Sequence, residues 1–370
     1  MKYYLIAGEK SGDLHGGNLI KALAHLDSTA QFRGLGGDEM KKAGMDLQVP
    51  YSEMAFMGVV KAILNLGKIA KWLSFCKKDI QSFNPDVIIL IDYGGFNMRV
   101  AKFAKPLGFK VFYYISPKVW AWNISRAWKL KATVDRMFCI LPFEKDFYKK
   151  FDWDVDYVGN PVLDAVGSFE ANQNFLKENN LQGKEKLIAV LPGSRKLELQ
   201  RMNPLLVQVI EQFPKYQFVI AAIGELDSSL YDVYKRYTNV SFVFDSTYDL
   251  LSHAYAAIVT SGTATLETGL FKVPQLVVYK ATPLEYAIGS RLVKVKYISL
   301  VNLIADKPIL KEFIQHQANL ENVSAEIRKL VENGEYRTSL FSGYDEVYRI
   351  LNIGSASKIA AEKMIIALKK

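Results

Sequence analysis

The chain has 370 residues, more than one ordinary core of about 100–200 residues contains, so its length favours two domains. Half of the residues are hydrophobic and 23% are charged, which excludes a disordered chain and a small disulfide-rich protein. The net charge of +9 points to an anionic partner, such as a nucleotide or an acidic lipid surface. Because the basic residues are dispersed and no nucleic-acid-binding motif is present, no nucleic-acid partner is expected.

The apolar segments and cysteines together predict a cytoplasmic protein. The longest apolar runs, such as residues 87–91, are far shorter than the roughly 20 residues of a membrane-spanning helix. The apolar run near Met1 is also shorter than the core of a secretory signal. Cys76 and Cys139 stand alone, as expected in a reducing compartment.

Short apolar runs alternate with helical stretches through the first half of the chain. This alternation predicts a parallel sheet covered by helices, and the continuous apolar strands indicate burial on both faces. Helices are predicted to begin near Gly16, residue 57, Asn97 and Pro142. The predicted strands are residues 3–7, 32–35, 87–91, 111–115, 137–141 and 156–158.

The pattern lapses in a polar stretch between Gly159 and Lys186 and then begins again. We therefore predict an α/β fold of two doubly wound, Rossmann-like domains, with a cleft at the carboxyl ends of their strands as the ligand site. The expected domains are residues 1–165 and 185–340, followed by a helical tail at 341–370 that packs back on the first domain. Strands of the second domain are predicted at 187–191, 218–222, 241–244, 257–260 and 275–278, with none after Pro308.

A glycine-rich segment follows the first predicted strand and opens a helix. It contains Gly8, Glu9, Ser11, Gly12 and Asp13, and it fits neither the dinucleotide-binding nor the P-loop pattern. Glycines let a ligand approach the backbone, and the polar side chains supply acceptors and a hydroxyl, so a substrate-binding loop is favoured. The alternative is a tight turn in which Asp13 caps the helix.

Asp92 follows the apolar strand at residues 87–91, where a carboxylate would emerge into the expected cleft. Partial burial there would raise its pKa and suit it to act as a general base on a substrate hydroxyl. The alternative is that Asp92 caps the next helix, although Asn97 is better placed for that role.

Two segments of the second domain have the features of anion sites. Gly193, Ser194 and Arg195 end its first strand, which places Arg195 beside a helix N-terminus as an anion clamp. Residues 261–267 open another helix, whose amides suit a diphosphate while a carboxylate one turn later suits the hydroxyls of a ribose. The alternative is an ordinary N-cap at Ser261 or Thr263. The residues concerned in this second segment are Ser261, Gly262, Thr263, Ala264 and Glu267.

Three further features of the sequence give weaker indications of a functional site. Asn302 lies in an apolar run and is either a satisfied buried amide or a hydrogen-bonding group in the cleft. Asp152, Asp154 and Asp156 alternate with apolar residues at strand spacing, which indicates a solvated strand entry rather than a metal site. The four histidines have no ligand spacing, so neither a metal nor a cofactor is expected.

Residues 57–78 form the most unusual predicted helix. Aliphatic residues recur along one face, and lysines flank them, so the helix either covers the sheet or binds an anionic bilayer. The residues assigned to the membrane or acyl-chain contact are Val59, Ile63, Leu66, Ile69 and Leu73. The opposite face is assigned Lys61, Asn65, Lys68 and Trp72.

The chain resembles the lipid-A-disaccharide synthases of Gram-negative bacteria, glycosyltransferase family 19, over nearly its whole length. The resemblance rests on six motifs in this order, namely residues 7–13 (AGEKSGD), 115–122 (ISPKVWAW), 141–144 (LPFE), 191–195 (LPGSR), 261–267 (SGTATLE) and 299–303 (SLVNL). It implies the GT-B glycosyltransferase fold and transfer from UDP-2,3-diacylglucosamine to 2,3-diacylglucosamine 1-phosphate (lipid X), with inversion to a β-1,6 link and release of UDP.

By this resemblance Asp92 is the base, Glu9 and Asn302 lie near the sugars, and Arg195 and Glu267 bind UDP. The acylated substrates favour the membrane interpretation of part of residues 57–78, and thus a peripheral enzyme on the cytoplasmic face of the inner membrane. The helical tail leaves room for an exchanged-tail homodimer.

The sequence departs from the family pattern at two places. The family commonly has a second Asp and a Pro in the loop after Asp92, where this chain has Tyr93 and two glycines, and a Pro where Val301 stands. Asp92 is thereby the only carboxylate of its loop. Two alternatives remain at this stage: another GT-B enzyme, such as the lipid II N-acetylglucosaminyltransferase, or a nucleotide-sugar-binding protein without catalysis.

Overall fold

The computed structural model describes residues 1–54, 66–183, 186–282, 286 and 295–369. The chain divides into two compact units. The first comprises Met1–Pro161 together with Asn352–Lys370, and the second comprises Val162–Leu351.

The first unit contains a seven-stranded parallel sheet with strand order β3-β2-β1-β4-β5-β6-β7. Its strands are β1 (Lys2–Ala7), β2 (Gln31–Gly36), β3 (Asp46–Pro50), β4 (Val87–Ile91), β5 (Lys110–Tyr114), β6 (Arg136–Cys139) and β7 (Asp156–Tyr157). Its helices are α1 (Lys10–Leu26), α2 (Asp38–Lys42), α3 (Leu66–Phe83), α4 (Gly94–Ala104), α5 (Val119–Trp122), α6 (Arg126–Thr133), α7 (Phe143–Lys149), α8 (Pro161–Gly167), which runs into the second unit, and, at the end of the chain, α16 (Ala356–Lys369).

Both faces of this sheet are buried, as its continuous apolar strands predict. Alternate residues of β1 enter different cores, because successive side chains of a strand point to opposite faces. Tyr4 and Ile6 join one core, which α3, α4 and α6 cover, whereas Tyr3 and Leu5 join the other, which α1 and α16 cover.

The second unit repeats this plan with a six-stranded parallel sheet, strand order β10-β9-β8-β11-β12-β13. Its strands are β8 (Ile188–Leu191), β9 (Phe218–Ala222), β10 (Val240–Phe244), β11 (Ala256–Thr260), β12 (Gln275–Tyr279) and β13 (Glu312–Ile314). Its helices are α9 (Phe175–Glu178), α10 (Lys196–Gln212), α11 (Thr247–His253), α12 (Thr263–Leu270), α13 (Leu300–Ala305), α14 (Leu320–Glu332) and α15 (Gly334–Leu351).

The predicted fold class is confirmed, and the differences from the prediction lie in edge strands and helix starts. Strands β3 and β13 are edge strands that the sequence analysis missed, and β13 lies beyond Pro308, where no strand was expected. Short edge strands carry too few apolar residues to stand out. The region assigned to the tail is divided, since α15 packs on α13 and α14 within the second unit while α16 packs on α1 within the first.

Candidate active site

The backbone of Asp92 is fixed by hydrogen bonds at the carboxyl end of β4. Its carbonyl accepts hydrogen bonds from the Tyr113 hydroxyl at 2.6 Å and the Asn97 side-chain amide at 2.9 Å, and its amide donates to the Tyr114 carbonyl at 3.2 Å. Asp92 and Tyr93 both adopt left-handed backbone conformations, with φ values of 44° and 46°. Non-glycine residues rarely adopt this conformation, which is enriched at functional sites.

Asp92 does not act as a helix cap, because α4 begins at Gly94 with Tyr93 in the N-cap position. The expectation that this helix begins near Asn97 is therefore wrong. Asn97 lies within the first turn, fully buried, and its side-chain amide donates to the Asp92 carbonyl and to the Ile91 carbonyl. The Asp92 carboxylate is thus left free of a capping role.

Burial raises the pKa of Asp92, while the positive charge of Lys118 and a hydrogen bond from the Tyr93 amide act in the opposite direction. Lys118 belongs to the loop after β5, the neighbouring strand. The loops approach each other closely, since a Cβ on Gly94 would lie 3.0 Å from Pro117. A carboxylate with a raised pKa and a lysine nearby suits proton abstraction near neutral pH.

Glu9 lies on the adjacent strand end, after β1. The Tyr93 ring occupies the space beside Gly8, where an added Cβ would come within 2.3 Å of the ring. Glu9 itself is the N-cap residue of α1, and its negative charge raises the pKa of Tyr93, although burial contributes more. The structure thus brings the segments of Glu9 and Asp92 together along one sheet edge.

Residues predicted as a substrate loop belong instead to the first turn of α1, which begins at Lys10 rather than near Gly16. Asp13 is buried, and its carboxylate accepts hydrogen bonds from the amides of Gly37 at 2.8 Å, Met40 at 3.0 Å and Glu39 at 3.1 Å. It therefore caps α2 rather than α1 and has a structural role. Gly12 is buried, whereas Ser11 is exposed at the start of α1.

Sequence analysis missed a buried carboxylate near the same edge. Glu144, with 1% of its surface exposed, accepts hydrogen bonds from the Trp120 indole at 3.0 Å and from the amides of Leu141 at 2.9 Å and Ile140 at 3.1 Å. Burial raises its pKa to about 7 despite these donors. Trp120 and Glu144 both lie in motifs that carry the family resemblance, which was the available signal.

In the second unit, a glutamate occupies the helix N-terminus expected to bind an anion. Arg195 is the N-cap of α10, and Gly193 has a φ of 112°, which favours glycine. The Glu198 carboxylate accepts a hydrogen bond from the Ser194 amide at 2.9 Å and lies 3.4 Å from the Arg195 guanidinium. The Arg195 side chain is exposed, and Glu198 orients it.

The other predicted anion segment forms the start of α12. Gly262 is the N-cap, with a φ of 128° and no side-chain cap, so neither Ser261 nor Thr263 is the N-cap. The Ser261 hydroxyl donates instead to the Ile298 carbonyl at 3.0 Å. Since the first amides of a helix have no acceptor within it, the amides at Thr263 and Ala264 suit an anion.

Glu267 lies one turn further along α12, held by an aromatic cluster. The Tyr248 hydroxyl donates a hydrogen bond of 2.8 Å to its carboxylate. Burial raises the pKa of Glu267, and this hydrogen bond lowers it. The Tyr248 ring packs edge-on against Phe271 and Phe169, with ring centroids 5.1 and 5.3 Å apart. Tyr248 is a second residue that sequence analysis missed.

Asn302 is a satisfied buried amide, the first of the two alternatives, and its place near the sugars stays a prediction. Its side chain is 1% exposed. The amide nitrogen donates to the Leu310 carbonyl and to Glu312, both at 2.9 Å, and the amide oxygen accepts from the Leu310 amide at 3.0 Å. Asn302 therefore joins α13 to the segment that leads into β13.

The predicted membrane helix is only partly described. Val59 and Ile63 lie outside the described residues. Ile69 and Leu73 pack, half-buried, against the core under α3, and they are joined there by Trp72, which was expected on the opposite face. For Ile69 and Leu73 this packing supports the sheet-covering alternative. The membrane assignment of these two residues and of Leu66 stays a prediction.

No described helix is long and apolar enough to cross a bilayer. No cluster of three or more His, Cys, Asp or Glu side chains with metal-binding geometry occurs among the described residues. In the aspartate run, Asp152 and Asp154 are exposed, and Asp156 pairs with Arg136 and Lys363.

The fold is that of GT-B glycosyltransferases and related nucleotide-sugar enzymes. A solved UDP-GlcNAc 2-epimerase from Neisseria meningitidis, bound to UDP-GlcNAc, superposes with a TM-score of 0.73 at 14% identity, covering 99% of this chain and 100% of that one. The glycotransferase of kitacinnamycin superposes with a TM-score of 0.65 at 12% identity, covering 99% of both chains. These structures establish the fold alone.

Sequence comparison gives the family. The family model described as lipid-A-disaccharide synthetase matches residues 3–362. The lipid-A-disaccharide synthases of Syntrophus aciditrophicus and Geobacter metallireducens are 37% and 36% identical, each over 99% of this chain and 97% of the relative. The chain belongs to the lipid-A-disaccharide synthase family and is an enzyme with that glycosyltransferase activity.

Proposed function

We propose that this enzyme transfers diacylglucosamine from UDP-2,3-diacylglucosamine to the 6-hydroxyl of 2,3-diacylglucosamine 1-phosphate, with Asp92 as the base. Family membership supports the reaction, and the single observation that supports the base is the half-buried Asp92 carboxylate, carried by a fixed backbone at the end of β4. The acceptor oxygen attacks the anomeric carbon while its proton passes to Asp92. The bond between that carbon and the UDP oxygen breaks, and its electron pair leaves with the diphosphate, which inverts the configuration.

The second unit supplies the groups suited to the leaving UDP. Negative charge grows on the diphosphate in the transition state, so the Arg195 guanidinium and the amides at the start of α12 would stabilise it. The Glu267 carboxylate would accept hydrogen bonds from the ribose hydroxyls. The flexible backbone at Gly193 and Gly262 would let the diphosphate approach closely.

Membrane association belongs to the same proposal, because both substrates carry acyl chains. Residues 57–66 remain the proposed apolar contact, with lysines providing attraction to anionic headgroups. Binding would be peripheral and would weaken as salt screens the lysines.

The reaction is tested by measuring UDP release from UDP-2,3-diacylglucosamine in detergent micelles, with and without the acceptor. For Asp92→Asn we expect a loss of acceptor-dependent release of about 100-fold or more, because the base contributes that much to proton transfer. UDP affinity should be unchanged, since Asp92 lies on the sheet of the other unit from Arg195.

Asn302→Ser provides a second comparison, since we assign Asn302 a structural role. It should lower the free energy of unfolding and leave the rate of the folded fraction near that of the wild type. Full activity of Asp92→Asn would exclude Asp92 as the base, and no UDP release by folded wild-type protein would contradict the assigned substrates.

A further inference from the structure

The first unit has an exposed tryptophan on its surface. Trp128, on α6, has 53% of its surface exposed, and Ile124, in the turn before α6, has 36% exposed. Buried side chains on the other side of this helix, Ala127 and Leu130, join the core. The exposed apolar residues therefore form an outward face that the core does not use.

Basic residues predominate on α6 and α7, and the exposed Asp152 and Asp154 follow α7. Residues 126–133 and 143–150, which the structure describes in full, contain six lysines and arginines, and Asp146 is the single exposed acid among them. Lys129 on α6, and Lys149 and Lys150 at the end of α7, are exposed. We call Ile124, Trp128, Lys129, Lys149 and Lys150 the Trp128 surface.

The Trp128 ring is held in place rather than loosely attached. The Phe151 ring meets it edge-on at 5.3 Å, with an interplanar angle of 80°. The Lys131 ammonium lies 5.6 Å from the ring centroid and donates a hydrogen bond of 2.9 Å to the Phe151 carbonyl. Because one face of the ring is occupied by Lys131, the ring is poorly suited to stacking on a nucleic-acid base.

The start of α6, which carries Trp128, follows the loop at the sheet edge that carries Asp92. The loop after β5, which contains Lys118, leads through α5 to Ile124 and then to α6. Helix α6 also packs against α4, which starts two residues after Asp92. Ile124 and the start of α6 therefore lie toward the side of the sheet where the acceptor hydroxyl is expected.

We propose that the Trp128 surface binds the headgroup region of an anionic lipid bilayer, as a contact separate from residues 57–66. An exposed indole among lysines suits this region, where tryptophan places its ring between apolar chains and polar headgroups. The lysines supply charge complementarity to anionic lipids. This inference rests on the proposed function, in which the enzyme acts on acylated substrates.

The test measures partition of the full chain between buffer and vesicles, either of pure phosphatidylcholine or with one-quarter phosphatidylglycerol. Two variants alter the surface: Trp128→Ser, and the triple change Lys129→Gln, Lys149→Gln and Lys150→Gln. We expect each to reduce the partition coefficient on anionic vesicles by at least about tenfold, because the first removes the indole from the headgroup region and the second removes three charges that attract anionic lipids. The salt dependence of binding should also be weaker for the triple variant than for the wild type.

Matched controls carry equivalent changes elsewhere. Ile366→Ser, on α16, removes an apolar side chain that is 56% exposed. The triple change Lys177→Gln, Lys215→Gln and Lys358→Gln removes the same charge from three exposed lysines. Both controls should partition as the wild type does. All variants should keep their UDP release in detergent micelles, which shows that they fold.

Brominated lipid provides an independent readout. It should quench wild-type tryptophan fluorescence more than that of Trp128→Phe, because only the wild type places an indole there. The proposal would be overturned if both surface variants partitioned as their controls do. It would also be overturned if the wild type bound an oligonucleotide instead of vesicles and the lysine variant lost that binding. A wild type that releases UDP but binds no vesicle would overturn the membrane contact alone, whereas absent UDP release would contradict only the proposed reaction.

Discussion

Two glutamates at the carboxyl edges of the two sheets cap helices in similar ways but lie in different environments. Glu144 accepts hydrogen bonds from backbone amides at the start of α7 and is buried. Glu198 accepts one from the Ser194 amide at the start of α10 and remains partly accessible beside an exposed arginine. The capping carboxylate is therefore buried in the first unit and accessible to solvent in the second.

The difference fits the two halves of the proposed reaction. A base must be held in one geometry with a raised pKa, which burial and a strained backbone provide at Asp92. A leaving diphosphate must enter and depart, which exposed amides and an exposed guanidinium allow.

The largest expected effect is on stability: loss of Glu144 should lower the free energy of unfolding more than loss of Glu198. Glu144→Ala should lower the free energy of unfolding by about 3 kcal/mol or more, because it leaves the donors of Trp120, Leu141 and Ile140 unpaired in the interior. Glu198→Ala should cost about 1 kcal/mol or less, since water can replace its carboxylate. Urea denaturation of both variants measures these losses, and equal losses would remove the contrast between the two edges.

A smaller effect tests how the carboxyl edge of the second sheet contributes to UDP binding. Tyr248→Phe should weaken UDP binding by about tenfold, because the hydrogen bond that orients the Glu267 carboxylate is worth roughly 1.5 kcal/mol. Isothermal titration with UDP measures the change. In a Glu267→Gln background the same substitution should have little further effect, since Tyr248 acts through that carboxylate. Additive losses would show that Tyr248 acts independently.

The pH dependence of stability tests the burial of Glu144. Its pKa is raised from 4.5 in the unfolded chain to about 7 in the folded protein. The folded protein therefore holds a proton that the unfolded chain has lost between these values, so this group's stabilising contribution declines as pH rises through that window. Glu144→Gln should show a flatter pH dependence of unfolding free energy over this range. An unchanged slope would contradict a raised pKa.

The smallest expected effect concerns the pH profile of catalysis. Lys118 lowers the pKa of Asp92, so Lys118→Gln should move the acidic limb of kcat/KM to higher pH. Lys102→Gln, an exposed change on α4, should leave the limb in place. A shift of the same size in both variants would indicate a general charge effect rather than a local one.

Much of the candidate site was predictable in position, because a polar residue directly after an apolar strand marks the end of that strand. Asp92 was identified as a polar residue directly after a fully apolar strand, and residues 261–267 as small residues opening a helix. Asn302 and Asp13 could not be resolved in this way, because their partners Leu310, Glu312 and Gly37 are distant in sequence or come from unpredicted elements. Glu144 lies in a motif that carries the family resemblance, but its burial and its hydrogen-bond donors are visible only in the folded protein.

The sequence by itself determined the two parallel sheets, because apolar strands and amphipathic helices are local sequence patterns that follow from burial of the residues facing a core. It also determined the family, through motifs whose order along the chain is specific. Only the tertiary structure decided which polar side chains form hydrogen bonds within the fold and which remain available to a substrate. That distinction depends on hydrogen-bond partners and burial, and both arise only when distant segments pack together.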